Sequence, residues 1–142
     1  MMFRQTLFAM AAAAAGLLAT GNAAAQGYPA RPITLVVPFA AGGPTDIVAR
    51  ALSIPMGKAL GQTVVVENKA GAGGTLAAGT VARAPNDGYN FLIHHNGMAT
   101  APALYRKLAY NPLTDFEYVS QVVDVPMTLI ARKDLPAKTF PE

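Results

Sequence analysis

The chain has 142 residues, which is enough for one small domain. Its formal net charge is +3, and it contains no cysteine. The charges form no basic cluster and do not alternate with aromatic residues, so the composition speaks against nucleic acid as a partner. The lack of cysteine excludes disulfides and thiolate metal sites.

Residues 1–25 have the pattern of a secretory signal peptide. Arg4 gives a positive start, Leu7 to Thr20 is apolar and rich in alanine, and Ala23-Ala24-Ala25 fits a cleavage site. The apolar segment is too short to span a bilayer, although a membrane-anchored N-terminal helix is the alternative. We therefore expect cleavage near Ala25 and a soluble periplasmic product.

A strand, a glycine turn and a helix follow the signal peptide. Ile33–Pro38 is apolar and rich in β-branched residues, which predicts a buried strand. Pro44 suits the first helical position, and helical spacing of apolar residues extends to about Leu60. Pro55 predicts a kink or break near Ser53-Ile54, because an interior proline removes a hydrogen bond and clashes with the preceding turn. Gly61 is expected just past the helix end.

The pattern then repeats. Thr63–Glu67 is predicted as a strand buried on both faces, Thr75–Ala84 as a small-residue helix, and Tyr89–His94 as a third strand. This order predicts an α/β fold with a parallel sheet and helices on both faces. After Tyr110-Asn111-Pro112 the alternation ends, and Phe116–Val123 and Met127–Ala131 are predicted as two strands of a second lobe.

Three loops follow the predicted strands: Phe39–Asp46, Ala70–Thr75 and His94–Thr100, with the chain turning at Asn96-Gly97. Ligands of parallel sheets bind beyond the carboxyl ends of the strands, so the three loops should share one edge. Free N–H groups at a helix start attract anions, and glycine lets the backbone approach a ligand closely. The two glycine loops, Phe39–Asp46 and Ala70–Thr75, therefore predict a carboxylate site, with ordinary turns between strand and helix as the alternative.

The motifs of the sequence resemble those of the periplasmic solute-binding receptors of tripartite tricarboxylate transporters, also called Bug proteins. They occur in family order: Tyr28 to Phe39, Ala41-Gly42-Gly43 with Asp46, Val66 to Gly74, Pro85 to Tyr89, and Tyr110-Asn111-Pro112 with Asp115-Phe116. The resemblance implies a type II-like periplasmic binding protein with two lobes that close over a small carboxylate. It implies a first lobe at residues 26–115 and the start of a second lobe at residues 116–142.

The resemblance also implies which residues bind the ligand, partly through backbone groups and waters. The loop around Asn96 is the less certain contributor. The implied set is Phe39, Ala40, Ala41, Gly42, Gly43, Asp46, Gly71, Ala72, Gly73, Thr75, Asn96 and Gly97. The expected ligand is a dicarboxylate, a tricarboxylate, an aromatic acid or an amino acid. The expected protein partners are the membrane subunits of the transporter, and the full-length receptor is expected to be a monomer without a cofactor.

Several residues admit a second interpretation. Asp46 is most simply an acid that matches the helix dipole, with direct ligand contact as the alternative. Adjacent His94 and His95 would point to opposite faces of a strand, which argues against a shared metal site. The open alternatives are a histidine at the loop edge that tunes ligand choice and a plain structural residue. The alternative function is an exported α/β hydrolase. No catalytic pair can be assembled from this sequence, so the catalytic residues of such an enzyme would have to lie beyond the chain.

Thr139 to Glu142 forms a capping-box pattern with no helix after it. We therefore expect a truncated receptor that binds ligand weakly alone.

Overall fold

A computed structural model describes residues 27–126, 128 and 130–136. The predicted signal peptide and the capping box at Thr139–Glu142 lie outside the described residues. In chain order the elements are β1 (Ile33–Val37), α1 (Pro44–Leu60), β2 (Val64–Asn68), a 3₁₀ turn (Ala72–Gly74), α2 (Thr75–Val81), β3 (Asn90–Leu92) and α3 (Gly97–Leu104). No described helix has the length and apolar character needed to cross a bilayer.

The three strands form one parallel sheet in the order β2-β1-β3. The central strand β1 is almost entirely buried, and Leu35 lies opposite Val66 on one side and Phe91 on the other. Residues on this face pack against Ala49 of α1. The opposite face carries Leu92, which packs in a cluster with Ala78 of α2. The predicted α/β fold, a parallel sheet with helices on both faces, is confirmed.

Strand β2 differs from its prediction. Its side chains alternate between half-buried and exposed, and Val65 is 47% exposed. The predicted burial on both faces is therefore wrong. Within the described part of the chain, β2 is an edge strand, and α1 covers only the face that carries Val64 and Val66. The three consecutive valines therefore indicate a strand, in which β-branched residues are common, and do not indicate that the strand is buried on both faces.

Helix α1 runs without a break through Pro55. Of the predicted kink or break near Ser53-Ile54, the break is therefore wrong, and the kink stays a prediction. Pro55 and Ala51 both lie on the exposed side of the helix, where water can bond the Ala51 carbonyl that lacks its helical partner. The helix ends as predicted, with Gly61 in the left-handed conformation (φ 66°).

Pro55→Ala should stabilise the protein by about 1 kcal/mol, because it restores a helical hydrogen bond at an exposed position. The gain is smaller than the full cost of a proline inside a helix, because alanine also raises the conformational entropy of the unfolded chain. Denaturant unfolding at fixed pH measures the change. Pro85→Ala, at an exposed site outside the helices, is the control and should bring no gain. A less stable Pro55→Ala variant would contradict the expectation.

The region after β3 differs most from the prediction. Asn96 occupies the N-cap position of a helix, α3, where only a turn was predicted, and its side chain makes no capping hydrogen bond. Residues 116–126 contain no strand, so the strand predicted at Phe116–Val123 is wrong. A strand needs a hydrogen-bonded neighbour, and the described sheet pairs β1 only with β2 and β3. Of the second predicted strand, Met127 and Leu129 lie outside the described residues, and the described remainder is irregular.

The segment that precedes β1 is fastened to the turn that precedes β3. The Tyr28 hydroxyl donates to the Gly88 carbonyl, and the Ala30 amide donates to the Tyr89 hydroxyl at 2.8 Å. Arg31 pairs with Asp87 at 2.7 Å and stacks on the Tyr89 ring at 3.9 Å. We call these contacts the N-terminal clasp. It lies at the amino ends of β1 and β3, at the edge of the sheet opposite the three loops.

Candidate functional site

The three loops meet at the carboxyl edge of the sheet, as predicted. Asn68, at the end of β2, donates from Nδ2 to the Phe39 carbonyl of the first loop at 3.0 Å. The His95 ring of the third loop stacks on Phe39 with centroids 4.7 Å apart and planes 8° apart. The His94 ring lies against Gly74 of the second loop, with Nε2 2.7 Å from where a Cβ would stand. The third loop therefore contacts both other loops, and the first loop is joined to the end of β2, just before the second loop begins.

The first loop is held by a buried carboxylate. Asp46 is 2% exposed, and its Oδ2 accepts hydrogen bonds from the Gly42 amide at 2.8 Å and from Arg50 Nε at 2.9 Å. Its Oδ1 accepts from Asn68 Nδ2 at 2.9 Å. The bond from Arg50, followed by those from Gly42 and Asn68, holds the pKa of Asp46 well below its usual range. Both oxygens are used inside the protein, which favours a structural role. Direct ligand contact by Asp46 stays a prediction.

Asn68 completes this network. Besides the bonds from its Nδ2, its Oδ1 accepts from Arg50 at 3.2 Å. The amide thus joins the end of β2 to the first loop and to α1. The sequence interpretation missed both Asn68 and Arg50. The spacing of Asp46 and Arg50, four residues apart on a helix, is a signal that could have indicated the pair.

The backbone of the first loop offers donors, but not at its glycines. The Gly42 amide is bonded to Asp46, and the Gly43 amide donates to the Ala40 carbonyl at 3.3 Å. Nothing lies within 4 Å of the place where a Cβ would stand on Gly42, which has φ +81°. Five other amides have no acceptor among the described residues: those of Phe39, Ala40, Ala41, Thr45 and Asp46. Thr45 was not predicted as a site residue.

The second loop is exposed along its backbone. Within it, the Gly74 amide donates to the Gly71 carbonyl at 2.9 Å, and the Thr75 amide and hydroxyl both donate to the Ala72 carbonyl. The amides of Gly71, Ala72 and Gly73 have no acceptor within the described ranges. The hydroxyl of Thr75 is therefore engaged within the loop, whereas these three predicted residues keep free donors.

Two side chains cover the glycines of the second loop. The Tyr105 hydroxyl lies so close to Gly73 that a Cβ there would overlap it, and the His94 ring occupies the same place over Gly74. Both glycines have positive φ, of +61° and +93°. They are therefore required for the close packing of Tyr105 and His94 as well as for the turn itself. The sequence interpretation missed Tyr105.

The two histidines lie on the same side of the site, so the prediction of opposite faces is wrong. Strand β3 ends at Leu92, before the pair, and both rings contact Phe39. The His95 amide donates to His94 Nδ1 at 2.9 Å, and the Gly97 amide donates to His95 Nδ1 at 2.8 Å. Burial lowers the pKa of His94, which favours the neutral ring. Its Nδ1 lies 2.9 Å from the His95 amide nitrogen and 3.1 Å from the His95 carbonyl oxygen.

The third loop offers less backbone than predicted. The Gly97 amide is engaged by His95, and Asn96 lies exposed as the cap of α3. Within the described part of the chain, no three His, Asp or Glu side chains are grouped so that they could hold a metal ion. Ligand contact by Asn96 and Gly97 stays a prediction.

Comparison with known proteins identifies the family. Residues 48–142, about two thirds of the chain, match the TctC family, described as the tripartite tricarboxylate transporter family receptor. The chain belongs to this receptor family. It spans about a third of the length of the curated relatives it matches, between 32% and 41%.

Solved structures with a similar fold agree with this assignment. The periplasmic binding protein BugD is 60% identical, with a TM-score of 0.62 over 63% of this chain and 30% of BugD. MatC of Rhodopseudomonas palustris, solved with bound malate, is 52% identical, with a TM-score of 0.60 over 63% of this chain and 31% of MatC. R. palustris Rpa4515, solved with adipate, is 42% identical, with a TM-score of 0.59 over 61% of this chain and 29% of Rpa4515. The fold is that of a periplasmic binding protein.

Proposed function

We propose that the protein is an extracytoplasmic receptor that captures a small carboxylate for a transporter of the tripartite tricarboxylate type. The observation that carries the proposal is the set of exposed backbone amides without acceptors on the first two loops, in Ala40-Ala41 and Gly71–Gly73. The family assignment and the relatives solved with malate and adipate support the same ligand class.

The proposed site binds its ligand without a dedicated cation. Arg50 is paired with Asp46, and Lys69 pairs with Glu67 at 3.0 Å. The free amides of Thr45 and Asp46 stand in the first turn of α1, where the helix dipole favours negative charge. Peptide N–H groups accept any carboxylate of suitable shape, so the proposed ligand is a dicarboxylate, a tricarboxylate, an aromatic acid or an amino acid.

The remaining assignments belong to the same proposal. Residues 1–25 act as a signal peptide that directs the protein to the periplasm, residues 26–115 form the first lobe, and residues 116–142 lead into a second lobe. The receptor works as a monomer, hands its ligand to membrane subunits of the transporter, and catalyses no reaction. The relatives named above are binding proteins, which supports this assignment over the exported hydrolase.

A thermal-shift and calorimetry screen tests the proposal. The panel contains malate, adipate, citrate, benzoate and aspartate. At least one should bind saturably and raise the midpoint of unfolding, because a ligand that binds only the folded state stabilises it. The same protein should not hydrolyse p-nitrophenyl acetate. Ester turnover without carboxylate binding would contradict the receptor function and favour the hydrolase.

Lys69→Ala should change the dissociation constant for the best ligand of this panel by less than about twofold. Its ammonium group is partly exposed and paired with Glu67, and surface pairs of this kind contribute little. Calorimetry measures the change, with Lys58→Ala on the exposed side of α1 as the control. A loss of tenfold or more in Lys69→Ala alone would show that a cation, and not the backbone, binds the carboxylate.

A further inference from the structure

Two side-chain donors converge on the second loop, and the protein uses neither of them internally. The Tyr105 hydroxyl lies against Gly73, and His94 Nε2 lies against the next residue, Gly74. They come from different elements, because Tyr105 directly follows α3 and His94 follows β3. Neither atom has a hydrogen-bond partner among the described residues.

The protonation of both groups is suited to an anionic ligand. The His94 Nδ1 lies 2.9 Å from the His95 amide nitrogen and 3.1 Å from the His95 carbonyl oxygen; in the tautomer that accepts from the amide, the shorter contact, the proton is on Nε2. A tyrosine hydroxyl is a donor at neutral pH. Both side chains are half-buried, and neither atom is among the fully buried polar atoms that lack a partner, so solvent or a ligand can reach them. They border the same exposed backbone that leaves the Gly71–Gly73 amides free.

The His94 ring and the Tyr105 backbone are also held in place. His94 packs edge-on against Phe39, with ring centroids 5.8 Å apart. The Tyr105 amide closes the end of α3 by donating to the Ala101 carbonyl at 2.9 Å. The Gly73 and Gly74 backbones leave no room for a Cβ beneath the two groups. Two donors fixed beside a loop are pre-organised, which lowers the entropy cost of binding.

We propose that the Tyr105 hydroxyl and the His94 Nε2–H donate hydrogen bonds to oxygens of the carboxylate ligand at the second loop and determine which ligand is accepted. The inference rests on the proposed function, because it deepens the same site. The acceptor is either a carboxylate oxygen or a hydroxyl oxygen beside it. Malate and succinate, which differ by one hydroxyl, distinguish the two.

The test measures the binding of malate and succinate by calorimetry to the wild type, Tyr105→Phe, His94→Leu and His94→Gln. Tyr105→Phe should bind malate about five- to tenfold more weakly, with an unchanged unfolding midpoint because the hydroxyl has no internal partner. His94→Leu should lose a similar factor, and His94→Gln, which keeps an N–H donor at similar reach, should recover most of it. Tyr118→Phe is the control, because its hydroxyl bonds the Pro112 carbonyl away from the loops.

An equal loss for both ligands assigns the donors to the carboxylate, and a loss for malate alone assigns them to its hydroxyl. Either result supports the inference. Wild-type affinity in Tyr105→Phe and His94→Leu overturns it while leaving the proposed function intact. A Tyr105→Phe variant with a lower unfolding midpoint also overturns it, because the hydroxyl is then structural. A wild type that binds no carboxylate overturns the proposed function itself.

Discussion

Asp46→Asn is expected to lower the midpoint of thermal unfolding at pH 7 by roughly 10 °C, the largest effect of any substitution considered. The carboxylate accepts from the Gly42 amide, Arg50 and Asn68, all within 2.9 Å. An asparagine replaces one acceptor oxygen with an N–H₂ donor. Because three donors already surround the site, at least one of these part-buried hydrogen bonds is replaced by a contact between two donors.

The pH dependence of the same variant gives a second readout. The pKa of Asp46 is held below its usual range in the folded protein, so this carboxylate stabilises the fold fully above the pKa of an unfolded aspartate, which is about 4. That contribution is lost as the pH falls further. The difference in unfolding midpoint between the wild type and Asp46→Asn should therefore be constant from pH 5 to 7 and shrink below pH 4.

Asp87→Asn is the matched control for this measurement. Asp87 also pairs with an arginine, at 2.7 Å, but on the exposed surface, where such pairs contribute little. Its midpoint should stay within about 2 °C of the wild type. Equal effects of the two substitutions would show that the bonds of Asp46 contribute no more than a surface ion pair.

Gly42→Ala is the second substitution with a large expected effect, this time on ligand binding. A Cβ on Gly42 would enter space where nothing lies within 4 Å, on the exposed first loop. If the ligand occupies this space, the methyl group should weaken binding at least tenfold, or about 1.4 kcal/mol. The positive φ of +81° adds a stability cost of about 1 kcal/mol.

Gly61→Ala distinguishes the loss of ligand affinity expected for Gly42→Ala from the loss of stability that a positive φ causes. Gly61 also has positive φ, of +66°, and open space around its Cβ position, but it lies at the far end of α1. It should lose similar stability and keep wild-type affinity for malate or any other ligand found in the screen. Calorimetry below the unfolding range measures both variants. Equal affinity in the two would place the ligand away from Gly42.

The first half of the fold could be predicted closely because its signals are local. Each of these signals favours the backbone conformation found at its own position: the apolar run of β1, Pro44 at the helix start and Gly61 at the helix end. The prediction was wrong where tertiary context decides. The exposure of β2 depends on its edge position, and residues 116–126 lack a pairing partner in the described sheet. Helix α3 was missed because Asn96-Gly97 is equally typical of a turn.

The candidate site could be predicted to the level of its loops but not to its atoms. Strand order was sufficient to bring the three loops to one edge. Which amides remain free depends on hydrogen bonds that no sequence pattern reveals, such as the bond from Gly42 to Asp46. Tyr105 was missed because it comes from an unpredicted helix and reaches Gly73 only through the folded backbone.

The N-terminal clasp has a practical consequence for handling the protein. Tyr28, Ala30 and Arg31 are fixed at the amino ends of the strands, and five residues of β1 separate them from the first loop. At about 3.3 Å per residue, this strand sets the two edges of the sheet roughly 16 Å apart. A biotin attached ahead of Tyr28 would therefore immobilise the protein on a sensor surface with its glycine-rich edge pointing into solution.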